Sequence, residues 1–278
     1  MANTESVKIA LVQYPIDTLN SFDFFLAKHE TILKSLTAQK IDLIVFPELV
    51  ALDLVDFNKD LPTQWKKISS EDHPRYIDFF KSYTKKTGIA VLTGSFPAIE
   101  NGKIHNQCRF IDHGETVSIQ NKVFLTPDEK AWNWSGGTSA RAFQWRGIQT
   151  AILICHDAEF PTLSNQLATE NIELLLVPSM THDDFGINRV RWCSMARSVE
   201  HYCYTLVTGT TENATKAREY CGQAAVITPQ NSLHTTEILL GRYNQPDILI
   251  TELDLRKLRQ GRTQKDFIYP VRDQNERR

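Results

Sequence analysis

The chain has 278 residues, 41% hydrophobic and 23% charged, an ordinary balance for a globular fold and enough length for one large domain or two small ones. A formal net charge of −2 argues against a nucleic-acid or membrane-surface partner. Its five cysteines are odd in number and lack Cys-x-x-Cys spacing, which argues against a zinc cluster or disulfide framework and suits a reducing cytosol. The opening Met-Ala-Asn-Thr-Glu-Ser has no apolar signal stretch. The longest apolar tract, residues 41–57, carries Asp42, Glu48, Asp53 and Asp56 and is no membrane span. A cytoplasmic protein is expected.

In chain order, residues 7–12 read as a short buried strand. Residues 21–40 read as a helix with Ser21 as N-cap and apolar Phe24, Leu26, Ile32 and Leu36. A second strand, 43–46, is broken by Pro47-Glu48. Residues 74–87 form a helix stopped by Gly88, before a strand at 89–93. Strands at 104–111 and 116–120 flank the turn signal His113-Gly114, and strands at 141–145 and 148–154 flank Arg146-Gly147. Then come a helix at 163–169, a strand at 174–177, a helix at 188–201 and a strand at 203–208. Further strands fall at 224–227, 235–240 and 248–253. Alternating strands and helices with interleaved hairpins predict α/β layers around a large mixed sheet. With no linker, repeat or low-complexity tract, one domain spanning 1–278 is the simpler reading, and the polar tail 263–278 is expected on the surface or against a partner.

The run Ala-Ile-Leu-Ile-Cys-His-Asp-Ala-Glu-Phe-Pro at 151–161 carries the most chemical information. Cys155 ends an apolar strand just before a predicted helix with Pro161 in its first turn, the position of a nucleophile on an elbow. Free N–H groups at a helix start would favour its thiolate, although a buried core cysteine also fits this segment. Glu48 follows Leu-Ile-Val-Phe-Pro, where partial desolvation would raise its pKa toward use as a base; a surface-loop glutamate fits as well. Lys122, flanked by Val-Phe-Leu, suits a fixed charge for an oxyanion, or a snorkelling lysine at a strand end. All three stand at predicted strand ends, where α/β sheets gather their sites, and a base, a cation and a thiol are what acyl transfer requires.

The order of these segments resembles the nitrilase superfamily of carbon–nitrogen hydrolases, in an amidase-like member. Phe-Pro-Glu-Leu at 46–49 is similar to its glutamate motif, residues 121–129 to its lysine motif with a second glutamate at Glu129, and residues 155–161 to its cysteine motif. Ala-Leu-Val-Gln at 10–13, His105-Asn106 before the Asp112-His113-Gly114 hairpin, and Met-Ala-Arg-Ser-Val-Glu at 195–200 keep the same register, so the likeness runs to about Pro229. The resemblance implies a four-layer α-β-β-α sandwich that pairs into a longer one in a homodimer or higher oligomer, with no cofactor and no metal. It implies that Cys155 attacks a carbonyl or nitrile carbon and that Glu48 relays the protons. Lys122 and the His156 N–H would hold the oxyanion, and Glu129 would orient the group. The implied substrate is a small linear amide. An N-carbamoyl amine, a nitrile, or a scaffold that keeps the fold without catalysis are the alternatives.

Three positions depart from that pattern. Glu159 stands where the family most often has arginine, as a salt-bridge partner or a substrate-facing group. Gly222-Gln223-Ala224 replaces a Gly-x-Ser, and Glu200-His201 replaces Glu-Asn. Trp132, Thr181, His182 and Asp183 are expected near the pocket. With Glu159 and Asp184 they suggest a neutral to acidic mouth, although a solvated loop at 183–184 and plain aromatic packing of Trp132 and Trp134 fit equally. His182, Asp183 and Asp184 lack a second group with metal-ligand spacing.

Overall fold

The computed structural model describes residues 4–19, 21–211, 220–230, 233–234 and 238–263. The first strand, β1 (Ser6–Pro15), sorts its side chains with the period of two that a pleated strand imposes. Val7, Ile9 and Leu11 enter one core, and Ala10, Val12 and Tyr14 enter another. Helix α1 (Phe22–Thr37) starts where Ser21 accepts the Phe24 N–H, satisfying one orphan donor of the first turn. Strand β2 (Leu43–Val45) lies parallel to β1. Helices α2 (Leu61–Lys67) and α3 (His73–Thr87) are joined by a π turn, and Gly88 ends α3 at φ 70°. Strands β3 (Ala90–Glu100), β4 (Lys103–Asp112) and β5 (Glu115–Asn121) form an antiparallel meander. A five-residue helix, α4 (Pro127–Ala131), precedes the hairpin of β6 (Ala142–Trp145) and β7 (Ile148–Ile152). The rest is α5 (Pro161–Gln166), β8 (Leu174–Ser179), α6 (Asp184–His201), β9 (Tyr204–Thr211), β10 (Ala225–Ile227), β11 (Leu239–Leu240), β12 (Asp247–Asp254) and α7 (Leu255–Gly261).

The strands form two leaves. One runs β5-β4-β3-β2-β1-β12, the other β6-β7-β8-β9-β10-β11. They join where Gln13, Tyr14 and Pro15 pair in parallel with Gly209, Thr210 and Thr211. Elsewhere they face each other across a shared core, in which Ile9, Leu43, Leu92 and Phe110 pack in one cluster with Ile148, Leu176 and Leu206. Helices α1 and α3 cover the outside of the first leaf through Phe25, Leu36, Tyr76 and Phe80. The segments of α5 and α6 cover the second through Leu163, Leu167 and Val190. Burying each such side chain contributes roughly 1.5–3 kcal/mol. The result is the expected four-layer α-β-β-α sandwich. No helix among the described residues is long and apolar enough to cross a membrane.

The differences from the sequence reading have local causes. Helix α1 stops at Thr37, short of Lys40. Helix α6 starts at Asp184 rather than 188, because the Asp183 side chain accepts the Gly186 N–H and caps it. Helices α2, α4 and α7 were not expected; each has five to seven residues, too few to display an apolar stripe. Of the strand expected at 235–240, Leu239–Leu240 is seen, while 235–237 and the tail from 264 lie outside the described residues.

Candidate active site

Glu48 is delivered by a bend that the sequence makes obligatory. Pro47 has no N–H to continue the β2 ladder, and the chain leaves the sheet there. The Pro47 carbonyl accepts the Ser95 N–H at 3.1 Å, and Ser95 Oγ accepts the Leu49 N–H at 2.9 Å, so β3 grips both sides of the glutamate. Gly94, at φ 72°, permits this approach; a Cβ there would sit far inside contact with the Pro47 oxygen. Just downstream, buried Asp53 accepts Tyr14 Oη at 2.6 Å and Lys28 Nζ at 2.7 Å, anchoring the 3₁₀ turn Val50–Leu54 to β1 and α1.

Lys122 follows the last residue of β5 and is 1% exposed. Its ammonium lies 2.7 Å from Glu48 Oε1 and 2.9 Å from Glu129 Oε2. Glu129 stands at the third position of α4 in a capping box: the Thr126 N–H and hydroxyl donate to its Oε2 at 2.8 and 2.9 Å, and Thr126 Oγ caps the helix in return. Asn106, on β4, donates through Nδ2 to Glu48 Oε1 at 2.9 Å and to Glu129 Oε1 at 2.6 Å. The two carboxylates end up differently. Burial pushes Glu48 up, with the Glu129 charge adding and Lys122 opposing. Burial pushes on Glu129 too, but Lys122, Thr126 and Asn106 outweigh it and hold its carboxyl below the usual range. Burial would lower Lys122, yet the two glutamates overcome it and keep the ammonium charged.

Cys155 reaches the same place from the other leaf. It sits past the end of β7 with φ 49°, the strained left-handed geometry of a nucleophile elbow, and opens a 3₁₀ turn, Cys155–Glu159. Its Sγ lies 3.5 Å from the Met180 carbonyl, while the Met180 N–H donates to Glu48 Oε2 at 2.9 Å. The N–H of His156 is among those a helix start leaves without an intrahelical partner. Asp157, fully buried, accepts the Val123 N–H at 3.1 Å and the Phe124 N–H at 2.8 Å, tying the cysteine turn to the lysine segment. Burial raises Asp157 to about 7 against those donors. One expectation is overturned here. The helix start was to favour the thiolate, but burial and then the Glu48 charge hold the thiol well above its ordinary value, with Lys122 and the Met180 contact opposing. A single short turn is outweighed by desolvation and an adjacent carboxylate.

The carbon-nitrogen hydrolase family model matches residues 8–263. This chain belongs to that family. Probable hydrolase YhcX of Bacillus subtilis (strain 168) is 30% identical over 265 residues; the match covers 92% of this chain and 51% of that protein, so the chain spans about half of that relative's length. Nit3 of Saccharomyces cerevisiae, a branch 10 member of the nitrilase superfamily, superposes with a TM-score of 0.76 at 20% identity, covering 95% of this chain and 98% of the other. The amidase from Nesterenkonia sp. AN1, whose mutant structure shows covalent addition of the acetamide moiety of fluoroacetamide at its active site cysteine, superposes at 0.75 with 22% identity and 95% coverage of both chains.

In this member of the family Glu48, Lys122, Glu129 and Cys155 line one cavity of about 280 Å³. Trp132, His156, Glu159, Thr181, His182 and Asp183 line it as well, whereas Trp134 and Asp184 do not. Their other contacts refine the expectations. Trp132 packs 5.0 Å from Trp65 and 5.2 Å from Trp134, so it serves the core and the cavity wall together. His182 stacks on Tyr220, and Asp183 is the α6 cap. Glu159 lies 3.3 Å from His156 Nδ1 and 3.3 Å from Arg189 Nε, a salt-bridge partner within the lining. Arg189, absent from the sequence reading, brings a cation from α6 to the wall. Asp184 is outside the lining and accepts a hydrogen bond from Tyr243. Of the three carboxylates expected at a neutral to acidic mouth, Glu159 and Asp183 line the cavity, Glu159 paired with Arg189, and Asp184 lies outside; Asp128 adds another carboxylate to the wall. The sequence reading also missed Met180, whose role is purely backbone, and Asp157, whose only signal was the Cys-x-Asp spacing.

Proposed function

We propose that the chain is a thiol hydrolase that cleaves the carbon–nitrogen bond of a small linear amide through a thioester on Cys155. The observation that carries this reading is the convergence of a buried carboxylate, ammonium and thiol on one small cavity. Glu48, its carboxyl held above the ordinary range by burial, takes the thiol proton as sulfur attacks the carbonyl carbon. Lys122 and the His156 N–H stabilise the tetrahedral oxyanion. Glu48 returns the proton to the departing amine, the C–N bond breaks, and the thioester remains. A water gives its proton to Glu48 as it adds to the thioester; collapse frees the acid and restores the thiol. Glu129 anchors the Lys122 ammonium throughout. The covalent acetamide adduct of the Nesterenkonia amidase supports a cysteine nucleophile.

The test is turnover of short primary amides and N-carbamoyl amines, with ammonia and carbon dioxide assayed separately and acid-quenched protein weighed. An acyl adduct on Cys155, ammonia without carbon dioxide, and an inert Cys155→Ala are expected. Turnover surviving in Cys155→Ala overturns the reading.

We also propose that the molecule works as a homodimer. Phe185, Trp192 and Val199 are exposed at seven-residue intervals along α6, a stripe of the kind a partner covers. Sedimentation equilibrium checks this; a monomer at micromolar concentration refutes it.

A further inference from the structure

Asn106 lies at the centre of the site and touches no cavity surface. It is fully buried on β4, and its side-chain nitrogen and its main-chain carbonyl are engaged at once. Nδ2 has two hydrogens and two carboxylate partners, Glu48 Oε1 at 2.9 Å and Glu129 Oε1 at 2.6 Å. Its main-chain carbonyl accepts the Lys122 N–H at 2.8 Å. Its Oδ1 is buried with no hydrogen-bond partner among the described residues. The alternative amide orientation would point that oxygen at two carboxylates, so the network selects the observed one and tolerates an orphaned acceptor. A buried acceptor left unmatched is uncommon, and here it accompanies a geometry that only an amide supplies. Aspartate would add a third negative charge. Serine carries one hydroxyl hydrogen and serves one carboxylate. A lysine would cancel the net negative charge that two glutamates and one ammonium leave behind.

We propose that Asn106 is a positioning residue: its amide straps Glu48 to Glu129 at a fixed separation and its carbonyl seats Lys122, so that Glu48 stands ionised as the base beside Cys155. This rests on the hydrolase reading above. The charged and titratable groups that act on Glu48 come from several elements. Lys122 follows β5, Glu129 stands on α4, and Cys155 opens the turn after β7; Asp157 in that turn and Cys108 on β4 act at longer range. Among these, the Asn106 amide supplies a neutral donor to Glu48. Removing a donor from a carboxylate weakens the charged form, so the base should then ionise at higher pH.

The test is the pH profile of kcat/KM for a short amide in wild type, Asn106→Asp and Asn106→Ser, with melting temperature as a control. Asn106→Asp is nearly isosteric. It should move the acid limb up by about one unit or more, lower kcat about tenfold or more at neutral pH with a smaller change in KM, and recover on the alkaline side. Asn106→Ser should move the limb the same way by less. An unmoved acid limb in a folded variant, or a loss equal at every pH, overturns the proposal. If Asn106→Asp does not fold, the Asn106→Ser profile decides by the same criterion. Wild type sets the baseline: a wild type that forms no adduct on Cys155 refutes the hydrolase reading, whereas an adduct-forming wild type with an unmoved limb in the variants refutes the Asn106 role alone.

Discussion

Replacing Glu48 by glutamine should make Cys155 more reactive and the enzyme inactive. The thiol is held protonated by burial first and by the Glu48 carboxylate second, through both its charge and a hydrogen bond. Glutamine keeps the shape and removes the charge, while the Lys122 ammonium stays. At hydrogen-bonding separation, a unit charge acting through an effective dielectric near 20 is worth about 4 kcal/mol, or about three pKa units. A fall of one unit already raises the thiolate fraction at pH 8 about tenfold, and the lower nucleophilicity of a more acidic thiolate offsets part of the gain. Iodoacetamide labelling from pH 7 to 9 measures this, with the Cys155 peptide quantified by mass spectrometry against half-exposed Cys193. Labelling of Cys155 should rise about tenfold or more, while amide turnover falls by a factor on the order of a thousand, because the proton relay is gone. Equal or slower labelling in folded Glu48→Gln would refute the electrostatic account of the thiol and indicate that Glu48 acts on alkylation as well.

Two further perturbations probe the scaffold. Asp157→Asn removes one carboxylate oxygen from the bridge to Val123 and Phe124 and should destabilise the fold by about 1–3 kcal/mol in urea titrations. Burial raises the Asp157 carboxyl in the fold to about 7, so wild type binds an extra proton between the ordinary carboxylate range and neutrality and loses stability as pH rises through that window. The deficit of the variant should therefore be larger at pH 5 than at pH 8, and the opposite trend would contradict the raised carboxyl. Gly94→Ala sets a side chain against the Pro47 carbonyl at φ 72° and should displace Glu48, lowering kcat at least tenfold; an unimpaired variant would show that the bend has slack.

The parts of this molecule that announced themselves in sequence were those whose signal is local. A short apolar run placed β1, and Pro47, Gly88 and the two hairpin glycines marked where elements end. Glu48, Lys122 and Cys155 stood at strand ends, so their meeting followed from the topology of an α/β sheet. What stayed hidden depends on distant backbone. Met180 contributes through its N–H and C=O, which every residue type carries. Arg189 lines the cavity from α6, whose start is set by the Asp183 cap rather than by apolar spacing. The state of the Cys155 thiol was misjudged for a related reason: a sequence displays the turn after the cysteine, but not the depth of burial or the carboxylate arriving from another strand.

The division of the site between the two leaves bears on how activity is acquired. Glu48, Asn106, Lys122 and Glu129 belong to the first leaf and the segments that follow its strands, whereas Cys155 and Met180 follow β7 and β8 of the second. A chain with one leaf formed holds a base and its cation without a thiol, or a thiol without its base. Such a half-built molecule has ordinary cysteine chemistry and no means of acylation. During refolding, recovered turnover therefore reports the docking of the leaves and lags behind strand formation seen by far-ultraviolet circular dichroism. The joint at Gln13–Pro15 and Gly209–Thr211 is where the two leaves pair, so the carboxylate and the thiol meet only in a molecule with both leaves in place.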